Sequence, residues 1–291
     1  MIKNYGIKTK NLEVNKINNL KSPLRYPGGK AKLYTKVKKI IEDNYSTEPP
    51  TYFEPFAGGG GLALKLLSQG IVRKIYINDF DEAIYAFWCS IIYYTEDFCE
   101  KILKTEVNVL EWEKQKAIYL DSENQNIFDL GFATFFLNRT NVSGILKAGV
   151  MGGKEQKGKF KIDCRFNKAR LISQIKEIAQ FKSKIEISNY DIFDLLNTNL
   201  LKQDDIFVYY DPPYVDKGGQ LYKNSFSKED HELLAHKILI NNNKYIITYD
   251  NVDLIHSIYK GNFIELIDIN YSTGNIKKAK EILIYSKNCL F

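Results

Sequence analysis

Five consecutive apolar residues, Ile206-Phe207-Val208-Tyr209-Tyr210, run without a polar break into Asp211-Pro212-Pro213-Tyr214. A run this short, built of β-branched and aromatic side chains, favours the extended chain over a helix. A strand with no polar alternation must be covered on both faces, the condition of a parallel strand inside an α/β sheet. The prolines end it and remove backbone donors, which leaves their carbonyls free to accept hydrogen bonds. A carboxylate, those carbonyls and the flat ring of Tyr214 then collect at the carboxyl end of a buried strand, where open α/β sheets bind ligands. Two acceptors beside an aromatic plate suit a planar heterocycle carrying an amino group. A strand closing in a solvated proline turn would read the same, so the rest of the chain has to decide.

The rest alternates as an α/β sheet requires. The first ~20 residues are polar and rich in Asn and Lys, an arm with little core of its own. A helix is expected after Gly28-Gly29, ending near Asn44. A strand at Thr51-Tyr52-Phe53-Glu54 then breaks at Pro55 into Phe56-Ala57-Gly58-Gly59-Gly60-Gly61. A helix opens straight out of the glycines, and a second strand, Lys74 to Asn78, ends at Asp79. Further strands are read at Ile185 to Ser188, Ile206 to Tyr210 and Tyr245 to Tyr249, with a helix over Lys228 to Asn241. Phe263 to Ile269 and Glu281 to Tyr285 have no helix between them and suggest a closing antiparallel hairpin, for seven strands in all.

One stretch does not fit. About a hundred residues separate the helix after Asp81 from the strand at Ile185, against ~2–6 for an ordinary connection. They read as a mostly helical insertion that ends in a basic, glycine-rich loop or hairpin. The expected organisation is a catalytic unit of residues 1–83 and 166–291, interrupted by a target-reading unit of residues 84–165.

The chain of 291 residues is 44% hydrophobic, with 20 Tyr and 17 Phe, so a full core is available and disorder is not expected. A net charge of +6 fits a nucleic-acid partner without requiring one. Cys89, Cys99, Cys164 and Cys289 form no CxxC pair, and His231, His236 and His256 are as scattered, so neither a metal site nor a disulfide framework is expected. No run is long and apolar enough to span a bilayer and the start is no signal peptide, which points to a soluble cytoplasmic protein.

The glycine loop reads Phe-x-Gly-x-Gly and lacks both the dinucleotide spacing and a phosphate-loop lysine. Its glycines still allow a ligand to approach the backbone closely. Asp79 lies ~20 residues on, where an acid hydrogen-bonds ribose hydroxyls. A helix N-cap is the competing explanation for Asp79. An adenosyl ligand without phosphates satisfies both facts, and S-adenosylmethionine is the candidate.

Tyr26-Pro27-Gly28-Gly29-Lys30, Phe53 to Gly60, Asp79 and Asp211-Pro212-Pro213-Tyr214 occur in an order that resembles the Dam-type (alpha-group) adenine-N6 DNA methyltransferases. Phe136-Leu137-Asn138-Arg139-Thr140 and Phe166-Asn167 resemble runs of the same family, so the likeness covers the chain from Ser22 to its end. It implies a Rossmann-like S-adenosylmethionine-dependent methyltransferase fold, a seven-stranded mostly parallel sheet with a helical target-recognition insertion. It also implies roles. Tyr26 and Lys30 close over the methionine end of the cofactor. Glu54, Phe56 and Gly58 form the cofactor loop, Asp79 holds the ribose, and Asp191 with Ile192 holds the adenine. For Lys30 a surface lysine at a helix start, and for Asp191 a solvated loop acid, are the alternatives.

The chemistry explains the residue types. An exocyclic adenine amine is a weak nucleophile because its lone pair is delocalised into the ring. If Asp211 and the Pro212 carbonyl accept its hydrogens, the nitrogen can pyramidalise toward the methyl group. A base inside a duplex cannot reach such a pocket, so the adenine must flip out, with Tyr214 stacked on its face. Asn138, Arg139, Asn141, Lys147 and Lys154 are the candidate DNA contacts, and Val215 to Ser225 a candidate lid over the flipped base. The expected partner is double-stranded DNA, with a cognate restriction endonuclease a further candidate and a monomer the default. Amine methylation on RNA or protein, or a silent DNA-binding protein of the same fold, are the competing functions.

Overall fold

The computed structural model describes residues 19–25, 30–198, 201, 205–215, 226–273 and 275–290. Tyr26 to Gly29 and almost all of the candidate lid lie outside the described residues. A single seven-stranded sheet organises the chain. Its strands are β1 (Thr51–Glu54), β2 (Lys74–Asn78), β3 (Ile185–Ser188), β4 (Ile206–Tyr210), β5 (Lys244–Asp250), β6 (Phe263–Thr273) and β7 (Asn275–Tyr285). The spatial order is β3-β2-β1-β4-β5-β7-β6. The first five run parallel, and β7 inserts antiparallel between β5 and β6.

The unbroken apolar strand behaves as its composition requires. Ile206, Val208 and Tyr210 pack into one hydrophobic cluster, while Phe207 and Tyr209 pack into another on the opposite face. The cluster around Phe207 is covered by α1 (Tyr34–Asn44), α2 (Gly61–Ser68), α3 (Glu82–Tyr93), α4 (Thr95–Lys104), α5 (Val109–Leu120), α6 (Ile127–Thr140) and α7 (Lys168–Ala179). The cluster around Val208 is covered by α8 (Ile192–Leu195), α9 (Lys228–Leu239) and α10 (Asp253–Ile258). Among the described residues no helix is long and apolar enough to cross a membrane.

The helices of the long stretch share the core of the sheet. A boundary at residue 84 falls inside α3, whose Phe87 stacks on Phe135 of α6 with centroids 6.0 Å apart. α3 and α6 approach so closely that a Cβ on Gly131 would stand 2.4 Å from the Ala86 carbonyl oxygen. Aromatic residues pin this joint, with Phe98 edge-on to Phe87, Phe128, Phe132 and Phe135. Beyond α6 the glycine-rich run is a succession of turns, closed by an antiparallel bridge between Asn141 and Val150.

The topology places the site. From β1 the chain winds outward to β2 and β3, then returns to set β4 on the other side of β1. The carboxyl ends of β1 and β4 therefore flank the crevice where winding reverses, the ligand position of such sheets.

Candidate active site

β1 delivers the glycine loop to one side of that crevice. Gly58 and Gly60 adopt φ of +48° and +55°, the left-handed region in which a Cβ is strained. The indole of Trp88 on α3 braces the loop, donating from Nε1 to the Gly58 carbonyl at 3.0 Å. A Cβ on Gly60 would lie 2.9 Å from the same indole. Glu54, the last residue of β1, is buried. Its Oε1 accepts from the Tyr52 hydroxyl at 3.1 Å, and its Oε2 has no hydrogen-bond partner among the described residues. Burial pushes the Glu54 carboxyl up to about 8; the Tyr52 hydroxyl opposes the rise, Asp211 adds to it and the Lys30 ammonium opposes it.

Asp79 ends β2 facing the loop. Its carboxylate accepts from the Gly58 amide at 2.7 Å and from the Asp81 amide at 2.9 Å. Desolvation raises it to about 7, against these two backbone donors and with help from the Asp81 charge. The N-cap of α3 is Asp81, whose side chain accepts from the Ala83 amide, so Asp79 is free of the capping task. Asp191 caps a different helix: its Oδ1 accepts from the Phe193 amide at 2.8 Å and opens α8. Ile192 beside it is buried in the β4 cluster, and Phe56 stands edge-on to Phe226 at 6.1 Å.

Both raised acids have a consequence for stability. Glu54 and Asp79 bind protons more tightly in the folded chain than in the unfolded one. Their contribution is complete below about pH 4, the unfolded range, and is lost as pH climbs to about 7 for Asp79 and about 8 for Glu54. The loss approaches about 1.4 kcal/mol per pH unit for each group while it titrates. Calorimetry of the ligand-free protein between pH 5 and 8 should show the midpoint falling with pH, less steeply for Glu54→Gln. An identical slope in that variant would remove Glu54 as a source.

β4 delivers the other side. Asp211 Oδ1 receives the Thr248 hydroxyl of β5 at 2.7 Å and the Lys30 ammonium at 3.1 Å, with the Tyr214 hydroxyl oxygen 3.3 Å away. Oδ2 is engaged by none of the described residues' hydrogen bonds or ion pairs. Lys30 is buried and donates to the Tyr214 hydroxyl at 2.8 Å, with Glu281 Oε2 at 3.5 Å. Tyr214 in turn donates to Glu281 at 2.7 Å. Glu281 was not among the sequence candidates. Antiparallel pairing brings it opposite Asp250, at the carboxyl edge of β5, and the lone acid opening the apolar run Glu281-Ile282-Leu283-Ile284 was its only signal.

Several expected roles change in the structure. Tyr214, expected to stack on a flipped base, is 5% exposed, with its ring tilted against Tyr249 and its hydroxyl bonded to Lys30 and Glu281. Lys30, expected near the cofactor's carboxylate, is buried beside Asp211 and Glu281, which argues against the alternative of a surface lysine. Asn138 and Asn141 are buried and committed inside the protein. The Asn138 side chain binds the backbone of Arg25 and Gly144, and the Asn141 side chain binds the Trp112 indole and the carbonyls of Ile145 and Leu146. Neither presents a polar atom to an outside partner in this structure, where both serve the protein's own backbone and the Trp112 indole.

Arg139 donates to the carbonyls of Arg165 and Pro23. Burial and the charges of Arg25, Arg170 and Arg165 lower it to about 10, so it keeps its charge at neutral pH. Lys147 is exposed, and exposed Lys154 pairs with Glu113 at 2.8 Å.

The pieces around the crevice match S-adenosylmethionine. A buried Glu54 oxygen has no partner among the described residues, a left-handed glycine loop offers bare backbone, and a carboxylate stands at the end of β2. Comparison with known proteins agrees. At 25% identity over 71% of this chain and 73% of its own length, the type II methyltransferase M.MjaIII of Methanocaldococcus jannaschii is similar. So is the type II methyltransferase M1.LlaDCHI of Lactococcus lactis subsp. cremoris, at 24% over 70% of this chain and 69% of its own length. The rRNA methyltransferase aviRa of Streptomyces viridochromogenes is a looser structural likeness, with TM-score 0.40, 12% identity and coverage of 90% and 87%. Residues 26–273 match the description of a whole family along most of the chain, and on that match the protein belongs to the D12 class N6 adenine-specific DNA methyltransferases.

Proposed function

We propose that this methyltransferase works through the free oxygen of Asp211. In this reading Asp211 Oδ2 and the Pro212 carbonyl accept the two N6 hydrogens of an adenine flipped out of duplex DNA. Holding both hydrogens turns the nitrogen lone pair out of the ring and toward the cofactor side of the crevice. Bound there, S-adenosylmethionine would supply an electrophilic methyl on a sulfonium. The N–C bond forms as the C–S bond breaks, S-adenosylhomocysteine leaves neutral, and the proton shed by the methylated amine passes through the Asp211 carboxylate to water, with no covalent enzyme intermediate. Glu54, the Gly58 loop and Asp79 hold that cofactor, with Phe56, Asp191 and Ile192 on its adenine side. The observation that carries the reading is the asymmetry of Asp211, which follows β4 beside the crevice: the Thr248 hydroxyl and the Lys30 ammonium hold Oδ1, and none of the described residues engages Oδ2.

Target reading falls to residues 84–165 with a neighbouring basic cluster. Arg25, Arg139, Arg165 and Arg170 lie close enough for their charges to act on one another. Such a cluster suits a phosphate backbone, whose neutralisation makes binding strongly salt-dependent. The two similar proteins carry type II names, which supports a cognate restriction endonuclease as partner; the chain is read as acting alone on DNA.

Methyl transfer from labelled S-adenosylmethionine to unmethylated duplex DNA, followed by nucleoside analysis, tests the proposal. Label in N6-methyladenine is expected. Label appearing only in RNA or protein added in competition would overturn it.

A further inference from the structure

We propose that Thr248 is a positioning residue for methyl transfer: backed by the Tyr209 hydroxyl, it fixes the Asp211 carboxylate so that Oδ2 meets the substrate amine. The inference rests on the reading of Asp211 given above.

Strand register brings the three groups together. β4 and β5 pair in parallel with Tyr209 opposite Ile246 and Tyr210 opposite Ile247. One step further in the same register, Thr248 lies beside Asp211 on the face that also carries Tyr209 and Ile246. Thr248 is fully buried between Ile247 and Tyr249, a position that burial alone would fill with valine. A hydroxyl there is costly unless it is paired.

It is paired on both sides, and in one direction. A carboxylate oxygen accepts, so the single Thr248 proton goes to Asp211 Oδ1 at 2.7 Å. The Tyr209 hydroxyl, 2.9 Å from Thr248 Oγ1, must then be the donor of that pair. Burial holds the Tyr209 phenol well above its ordinary range, so it keeps the proton it donates. The terminal torsion of an aspartate is broad and nearly two-fold, so a carboxylate without a fixed partner turns about its axis. Lys30 and Tyr214 also touch Oδ1, but both serve Glu281 as well. Among the described residues Thr248 donates to Asp211 alone, at the shortest of the three distances.

The test compares Thr248→Val, Thr248→Ser and Tyr209→Phe in the full chain, with single-turnover methyl transfer to a duplex and KM for DNA and for S-adenosylmethionine. Thr248→Val keeps shape and loses the hydroxyl; its kcat should fall about 10–100-fold, the scale of a small misplacement of a reacting group. Both KM values should stay within about threefold, since the relay touches neither ligand. Thr248→Ser should recover most of the rate. Tyr209→Phe should be slower than the parent and should add nothing in the Thr248→Val background. An unchanged kcat in Thr248→Val, or Thr248→Ser as slow as Thr248→Val, would overturn the proposal. Should Thr248→Val not fold, Tyr209→Phe decides, and a full kcat there overturns the relay. Asp211→Asn keeps the two failures apart: activity in it defeats the reading of Asp211, whereas an inactive Asp211→Asn beside a fully active Thr248→Val defeats the relay alone.

Discussion

Asp211→Asn is expected to slow methyl transfer by at least about 10³-fold while leaving DNA and S-adenosylmethionine affinity within a few-fold of the parent. Removing one preorganised electrostatic partner of a reacting group typically costs about 10²–10³-fold. Asparagine should sit at the upper end because it does more than delete. The shape is conserved, and an amide oxygen in place of Oδ1 can still receive the Thr248 hydroxyl and the Lys30 ammonium. The other position becomes an NH2 group, which confronts the two hydrogens of the adenine amine with a donor instead of an acceptor. The groups assigned to the cofactor are Glu54 at the end of β1, the glycine loop after it, Asp79 just past β2 and the start of α8, and the substitution changes none of them. Quench-flow rates beside equilibrium titrations of each ligand make the comparison. Loss of cofactor binding in step with rate would show Asp211 to be a binding residue, and the assigned chemistry would fail.

Much of this site could be read from order along the chain. Acids at the ends of strands are legible because a strand end in a parallel sheet has a fixed place relative to the crevice. Asp79 and Asp211 were found that way, and so was the glycine loop. What pairs with those acids was not legible. Thr248 and Glu281 reach Asp211 and Lys30 through the registers of β5 and β7, and register between distant strands is set by packing rather than by local pattern. Side-chain commitments were equally hidden. Asn138 in the last turn of an apolar helix and Asn141 just past it resemble an exposed recognition tip, yet their amides satisfy backbone groups that the tight turn around Gly144 would leave unpaired. The capping role was legible as a type but fell on different acids, Asp81 and Asp191, because the helix start depends on where the preceding turn ends. Lys30 shows the same limit: the motif marks it for the cofactor's carboxylate, and only the fold reveals the protein's own acids around it.

That surrounding predicts the largest effect on stability. Lys30→Met should destabilise the protein by about 3–5 kcal/mol, the usual cost of removing one partner from a buried ion pair. For a chain of this size that corresponds to a midpoint lower by on the order of 10 °C. Methionine fills the volume of the lysine stem, so packing loss is small and the effect is electrostatic. The ammonium is shared by Asp211 at 3.1 Å and Glu281 at 3.5 Å, and its field also reaches Glu54. Three acids around one cation is an arrangement that stability alone would not select; Asp211 is required by the chemistry, and Lys30 offsets its burial. Glu281 is the acid that shares the ammonium with Asp211, so Glu281→Gln should recover part of the lost stability in the Lys30→Met background while doing little good in the parent, where it loosens the Lys30 and Tyr214 contacts. Thermal and denaturant unfolding of the two single variants and the double variant form the cycle that measures this coupling. A Lys30→Met midpoint within about 2 °C of the parent, or a double variant as unstable as the sum of the singles, would show that water already screens the acids and that Lys30 does not hold the site together.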